Sequence, residues 1–471
     1  MHNPVLVMAS NQRLSSLIAR ILRWRNIFCL PISLGSESLA SYSPCGLIVA
    51  IENESDFAKV DTSLWQASYP ILFLGASAVA YCTMLGGEAS PIPQENALNL
   101  TFAQEKLFSH IDNGERILTS LQALTLPSCL QAIAYAGETV IGYAQKEKAI
   151  YGIEYPIERN DPDASNLLYN FANTLCHATP EWTEEAIIQE AIHSIKQLAG
   201  DGDVLCAVSG GVDSTVCAKL AQLAVGKRLH CIFIDTGLHR EGEAQQVINL
   251  MLENMELVVA YEDAENNFQT ALQDVHLPQE KEKVASLLMH AMVRKQLQYI
   301  PKTTLLITGA NLTDALEMGL NPENNELTTY APLALLFKHE VRNLASALQL
   351  PPFIVNRQPF PSSGLALRIA GEVTQERLTM LRIADYQFQQ EIEAAGLDKK
   401  LDRFYASLLQ LTDGTYQVTL HALQKSSHNT HVARLPFDVL ERIQARIIQK
   451  VSDVSQVVLA LNVVKARVGE E

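Results

Sequence analysis

The chain has 471 residues, enough for about three domains at roughly 150 residues each and too long for one small module. Its net charge of −16 argues against a general nucleic-acid-binding surface, because phosphate backbones are held by clustered Lys and Arg. Hydrophobic content of 48% and aromatic content of 7% are ordinary for a folded protein, and no apolar run reaches the roughly 18 residues of a membrane span, so neither nucleic acid nor a membrane is expected as a partner. The N-terminus, Met1 to Arg13, lacks the basic, apolar and small-residue pattern of a secretory signal, which points to a cytoplasmic protein. Cys29, Cys45, Cys82, Cys129, Cys176, Cys206, Cys217 and Cys231 include no Cys-x-x-Cys pair and are expected to be buried free thiols.

Three regions follow one another. Over residues 1–178, short apolar runs (Val5 to Met8, Gly46 to Ile51, Ile71 to Leu74, Ala132 to Ala134) alternate with helical stretches such as Ser15 to Arg23, the pattern of an α/β layer domain. An acidic, proline-bearing stretch from Asn160 to Pro180 marks its exit. Over residues 179–358, Thr183 reads as a helix N-cap, with Glu184 and Glu185 in the first turn and Gly200 as the stop. Strands are then predicted at Val204 to Val208, Cys231 to Asp235, Leu257 to Tyr261 and Thr304 to Thr308 with helices between them, so a parallel sheet is expected. Over residues 359–471 the pattern becomes α+β: helices at Glu372 to Ala395 and Pro436 to Val451, strands at Gln417 to Ala422 and Val454 to Val464.

The sharpest chemical signal is Ser209-Gly210-Gly211-Val212-Asp213-Ser214, directly after one predicted strand and before the helix Thr215 to Leu223. Glycines let backbone N–H groups approach a phosphate, and the helix start adds partial positive charge, so an anion is expected on this turn. No Gly-Lys-Ser/Thr ends the loop, which excludes the Walker pattern. The motif resembles the pyrophosphate loop of the N-type ATP pyrophosphatases, the adenine-nucleotide alpha-hydrolase-like parallel-sheet domain.

The resemblance narrows to the GMP synthetase family. Phe233 to Arg240 looks like that family's second-strand segment, ending in an Asp, a Gly-Leu and an Arg. Gly309, Asp314 and Glu317 fall where the family has Gly-Thr-x-x-x-Asp-x-x-Glu, with Ala310 in place of the Thr. Pro332 to Arg342 is close to Pro-Leu-x-x-Leu-Phe-Lys-x-Glu-Val-Arg, and Arg357 to Pro361, Gly364-Leu365, Arg368 and Gly371 to Val373 repeat a domain-junction motif. The resemblance implies ATP and Mg²⁺ as cofactors. Ser209 to Ser214, Asp235 and Gly309 would bind the nucleotide, with Asp213, Asp314 and Glu317 as carboxylates for the metal. Asp213, Lys338 and Arg240 are the catalytic candidates; the two cations either offset charge on the departing pyrophosphate or form surface ion pairs. The C-terminal region would be a dimerisation domain, giving a homodimer.

The first 178 residues resemble the class I glutamine amidotransferase domain. Pro70-Ile71-Leu72 and Leu85-Gly86-Gly87 bracket the nucleophile elbow, where the family reads Pro-Ile-Leu-Gly-Ile-Cys-Tyr-Gly, and in that register the catalytic Cys is Gly75. Cys82 would lie in the following helix. Tyr151 to Glu158 matches Tyr-Gly-Val-Gln-Phe-His-Pro-Glu, which puts Pro156 in place of the His and leaves Glu158 alone. With neither thiol nor base, glutamine hydrolysis is expected to be negligible, and ammonia would come from solution or a partner.

On the acceptor side, Met318 to Ala331 replaces a longer lid, His421 replaces an Arg, Ser286-Leu287 a Gly-Arg pair, and Val464 to Glu471 the family's C-terminal Lys-Pro-Pro segment. A nucleotide monophosphate carries about two charges that need pairing, and the loss of these contacts leaves the acceptor open between xanthosine monophosphate (XMP), which the resemblance implies, and a related compound. Two readings follow: a ligase that adenylates an acceptor oxygen and aminates it, or a silent nucleotide-binding paralogue that regulates another enzyme.

Overall fold

The structure, a computed structural model, describes the chain except residues 1–2, 36–41, 62–63, 65–67, 93–97, 117–120, 156, 158–160, 313–327, 356–363, 426–429 and 463–471. It forms two compact units, Met1–Ile187 and Ile188–Glu471. The division falls inside helix α4 (Glu184–Ala199), which Thr183 caps through its hydroxyl to the Ala186 N–H at 3.3 Å.

In the first unit, β1 (Val5–Ala9), β3 (Gly46–Ile51) and β4 (Ile71–Gly75) are continuous apolar runs. Their residues are buried nearly throughout, as for strands covered on both faces. They pair in parallel with one another, β2 (Cys29–Ser33) joins β1, and β11 (Ile150–Ile153) joins β4. The sheet continues antiparallel through β10 (Thr139–Gln145), β9 (Gln131–Ala136), β6 (Leu98–Phe102) and β7 (Gly114–Arg116). Strands β5 (Glu88–Pro91) and β8 (Gln122–Thr125) form a separate ribbon. Helix α1 (Gln12–Arg23) starts at Asn11, whose side chain accepts from the Leu14 N–H, and α2 (Ala76–Met84) leaves the end of β4 without a connecting loop. The acidic exit stretch contains a helix, α3 (Pro162–Tyr169), capped by Asp161 with Pro162 in its first turn. Beyond it Trp182 stacks on Phe28 at 4.5 Å between ring centres.

The second unit holds both later regions around one core. Its parallel sheet has the order β14 (Val259–Asp263), β13 (Leu229–Asp235), β12 (Asp203–Ala207), β15 (Thr303–Ile307), β16 (Thr328–Tyr330). Helices α5 (Val212–Val225), α6 (Glu243–Met255), α7 (Glu265–Leu272), α8 (Pro278–Gln296) and α9 (Lys338–Ala347) run between or after these strands. The C-terminal layer combines α10 (Gln375–Ala394) and α11 (Phe437–Lys450) with β17 (Arg403–Gln410), β18 (Tyr416–Lys425), β19 (Thr430–Val432) and β20 (Val454–Leu459). Leu205, Ile232 and Ile234 of the parallel sheet share a buried cluster with Leu381, Phe388, Phe404 and Val418 of that layer. The α/β reading and the parallel central sheet hold. Among the described residues no helix is long and apolar enough to cross a membrane.

Candidate nucleotide site and the elbow of the first unit

The loop after β12 turns at Gly210, whose φ of +75° is open to glycine and costly for other residues. Gly211 is the N-cap of α5. Ser214 closes the turn: its hydroxyl accepts from the Ser209 N–H at 3.1 Å and donates to the Gly211 carbonyl at 3.2 Å, and it lies 3.1 Å from the Ser209 hydroxyl. Thr215 donates to the same carbonyl at 2.9 Å. The arrangement points the first turn of α5, with N–H groups that have no acceptor inside the helix, past the end of β12. Gly309 backs the turn, since a Cβ there would stand 3.4 Å from the Ser214 nitrogen.

Asp213 projects from the first turn of α5 and is paired with Lys338, the first residue of α9. That helix start is fixed by Glu340, which accepts from the Phe337 N–H at 2.7 Å. The other carboxylate oxygen of Asp213, Oδ1, is buried and has no hydrogen-bond partner among the described residues. A buried carboxylate oxygen beside a glycine turn at a helix start has the chemistry to serve a hard cation, which takes oxygen ligands. Asp314 and Glu317 lie outside the described residues, and among those described no group of three His, Cys, Asp or Glu side chains could hold a metal.

One strand over, Asp235 ends β13 with its oxygens engaged by the Gly237 N–H at 3.0 Å and the Tyr261 hydroxyl at 2.9 Å. Burial and that bond push the Tyr261 phenol up to about 12. Arg240, in the loop after β13, is largely buried, and its Nε lies 3.2 Å from Asp385 of α10. Of the catalytic candidates, then, Asp213 and Lys338 meet directly, and Arg240 meets a carboxylate from the C-terminal layer. Asp385 was not singled out in the sequence, although it stands among the buried apolar residues Leu381, Ala384 and Phe388 of its helix face. Arg368, also buried, lies 3.4 Å from the other oxygen of Asp385 and over the Tyr405 ring at 4.5 Å. Burial holds its guanidinium down to about 10. Tyr405 stacks on His421 at 4.6 Å, and burial, with Arg368 nearby, pushes that imidazole below its usual value.

In the first unit, Gly75 ends β4 and is the N-cap of α2, at φ 58° and ψ −133°. This is a sharp strand-to-helix turn locked by Ser77, whose hydroxyl lies 2.7 and 2.8 Å from the Val49 and Leu74 carbonyls, within reach to donate to either. A Cβ at Gly75 would meet nothing nearer than the Ile51 carbonyl at 3.9 Å. Cys82 lies within α2, buried, and burial pushes its thiol up. Pro156 and Glu158 are outside the described residues. Glu154, two residues earlier, went unnoticed in the sequence. It is 7% exposed and burial pushes its carboxyl up to about 7, opposed by the Gln122 N–H and reinforced by Glu54.

Residues 185–429, just over half of the chain, match the NAD synthase family. The GMP synthase (glutamine-hydrolyzing) of Carboxydothermus hydrogenoformans is 31% identical over 502 residues, covering 97% of either chain. That of Clostridium kluyveri is 29% identical with 96% of either chain covered, and that of Clostridium tetani 31% with 94%. A solved structure of a GMP synthase component from Thermoplasma acidophilum overlaps 38% of this chain, and 96% of its own, at 15% identity and a TM-score of 0.33, a likeness too slight to bear on the fold. Similarity that runs the whole length of the chain, joined to a phosphate-type loop at the end of a parallel strand, makes this chain a member of the GMP synthase family.

Proposed function

We propose that the chain is an ATP-dependent carbon–nitrogen ligase that adenylates a carbonyl oxygen of XMP or a related acceptor and aminates it with ammonia. The observation that carries this reading is the turn at Gly210, built between β12 and α5 with Lys338 across it on Asp213. The turn Ser209 to Ser214, through the backbone N–H groups beyond that of Ser209, and the start of α5 hold the phosphates. Gly309 keeps room beside the turn, and the end of β13 at Asp235 faces the nucleoside. Asp213, with Asp314 and Glu317, would hold Mg²⁺, which when bound offsets phosphate charge. As the acceptor oxygen displaces pyrophosphate, negative charge grows on the leaving group, and Lys338 and Arg240 stabilise it in a site prearranged to do so. Ammonia then forms the C–N bond while the C–O bond to AMP breaks, and the surplus proton passes to water.

The same reading gives the first unit no glutaminase chemistry of its own. The elbow at Gly75 has the turn but no thiol, Pro156 supplies no base, and Glu158 alone cannot activate a nucleophile. Ammonia is taken from solution or from a separate glutaminase. Exposed Phe437, Ile448, Val458 and Leu461 in the C-terminal layer suit a second copy of the chain, giving a cytoplasmic homodimer.

The test is pyrophosphate and AMP release from ATP and Mg²⁺ with XMP, comparing ammonium with glutamine. Turnover with ammonium alone supports the ligase reading, and turnover with glutamine alone refutes the assignment of Gly75. ATP binding with no pyrophosphate released for any acceptor favours the silent regulatory paralogue.

A further inference from the structure

The loop that follows β13, residues 236–243, turns through two glycines with positive φ, Gly237 and Gly242, both at 69°. Such a loop has little conformational preference of its own, and it is held from outside the nucleotide sheet. Arg382 of α10 donates from Nε to the His239 carbonyl at 3.0 Å and from its terminal nitrogen to the Gly237 carbonyl at 2.6 Å. The Leu365 N–H donates to the intervening Leu238 carbonyl at 2.8 Å. Asp385, one turn after Arg382 on the same helix, takes the Arg240 guanidinium. Two residues three apart on one helix face thus grip the backbone of the loop and the side chain at its end.

Asp385 is an expensive group to use merely as packing. Its side chain is 2% exposed, its Oδ1 accepts from the Ala406 N–H at 2.8 Å and faces Arg368, and its Oδ2 faces Arg240 and Gln389. A buried carboxylate set between two guanidinium groups gains little over apolar side chains of the same volume, so net stability does not account for it. What the carboxylate supplies that an apolar residue cannot is direction: it fixes the position of a cation.

We propose that Asp385 is a positioning residue for Arg240, aligning the guanidinium that offsets charge on the departing pyrophosphate, so that the C-terminal layer completes the nucleotide site. The inference rests on the ligase reading for the role of Arg240 and adds the residue through which that role is set.

The test is a double-mutant cycle in the full chain with D385N, R240M and the combined variant. It reads XMP-dependent exchange of labelled pyrophosphate into ATP and, separately, the affinity for ATP·Mg²⁺. D385N is expected to slow exchange about tenfold to a hundredfold with little change in KM for ATP, and to cost nothing further in the R240M background. Losses that multiply would make Asp385 merely structural and overturn the proposal, as would normal exchange in D385N or in R240M. Should D385N fail to fold, R240K decides: a lysine keeps the charge without the planar guanidinium that pairs with Asp385, so full exchange in R240K overturns the proposal and a loss matching R240M supports it. Absence of exchange in the wild-type chain sinks the ligase reading instead. The ATP·Mg²⁺ affinities of the same proteins then carry the cycle, coupled losses supporting the positioning role and independent losses overturning it.

Discussion

Replacing Glu154 by Gln should stabilise the first unit at neutral and alkaline pH and leave it unchanged in acid. Glu154 ionises in the folded chain at about 7, against an ordinary glutamate value of 4.5 for the unfolded chain, chiefly because burial disfavours its charged form. An acid raised on folding works against the fold as pH increases. Below 4.5 both states are protonated and there is no penalty. Between 4.5 and about 7 the unfolded chain gives up the proton while the folded chain keeps it, so stability falls, and above that range the penalty is constant. At about 1.4 kcal/mol per pH unit the plateau is about 3 kcal/mol, an upper figure since water reaching the carboxyl lowers it. Gln retains an oxygen for the Gln122 N–H and has nearly the same volume. Denaturant unfolding of E154Q and wild type, followed by a probe in the first unit at pH 4.5 and pH 8, measures the difference. Equal stabilities at pH 8, or a gain of the same size at both pH values, would refute the argument.

Four other outcomes are expected. K338M should retain the fold and lose about a hundredfold to a thousandfold in pyrophosphate release, the range for removing a donor aimed at developing negative charge; the assay is steady-state turnover with ammonium. G364A should destabilise the second unit by about 3 kcal/mol in thermal unfolding, because Gly364 sits at φ +55° and a Cβ would lie 2.2 Å from the Leu238 carbonyl oxygen. G75C should fold at a cost of about 1–2 kcal/mol for a side chain at positive φ. Its new thiol should titrate with a disulfide reagent, yet release no glutamate from glutamine, because in the proposed register Pro156 takes the place of the activating base. If two copies pair through the C-terminal layer, as proposed, F437E should give single chains in light scattering where the wild type gives pairs, with far-ultraviolet circular dichroism unchanged.

The parts of this fold legible in sequence are those where a short stretch of chain decides the outcome. The runs Val5 to Met8, Gly46 to Ile51 and Val204 to Val208 are apolar without alternation because both faces of their sheets are covered, and each forms a strand at or within a residue of its expected place. The loop Ser209 to Ser214 is equally local: glycine supplies the positive φ, serine closes the turn, and the helix begins at once. What stayed hidden depends on partners far apart in the chain. The antiparallel half of the first sheet is made of strands such as Leu98–Phe102 and Gly114–Arg116, too short and mixed to stand out, and held by pairing rather than by their own propensity. Lys281 is an ordinary helix residue in sequence, yet it is fully buried and its ammonium donates to the Ala366 and Ile369 carbonyls at 3.2 and 2.7 Å, with burial drawing it down to about 8.

The nucleotide site shows the same division, and it bears on how the chain could have changed. Contacts within the phosphate turn are set by neighbours in sequence, so a few retained residues preserve them whatever happens elsewhere. The grip on the loop after β13 instead needs Arg382 and Asp385, more than a hundred residues away, to arrive at the correct place through the packing of α10 against the parallel sheet. The turn at Gly75 lies between these cases: Ser77 and the two strand carbonyls hold its backbone although glycine puts no side chain on it. A turn is preserved by the bonds around it, while a reaction needs the side chain on it. The first unit can therefore keep this turn whether or not a thiol stands on it, whereas in the second unit the proposed aim of Arg240 depends on holding two distant layers in register.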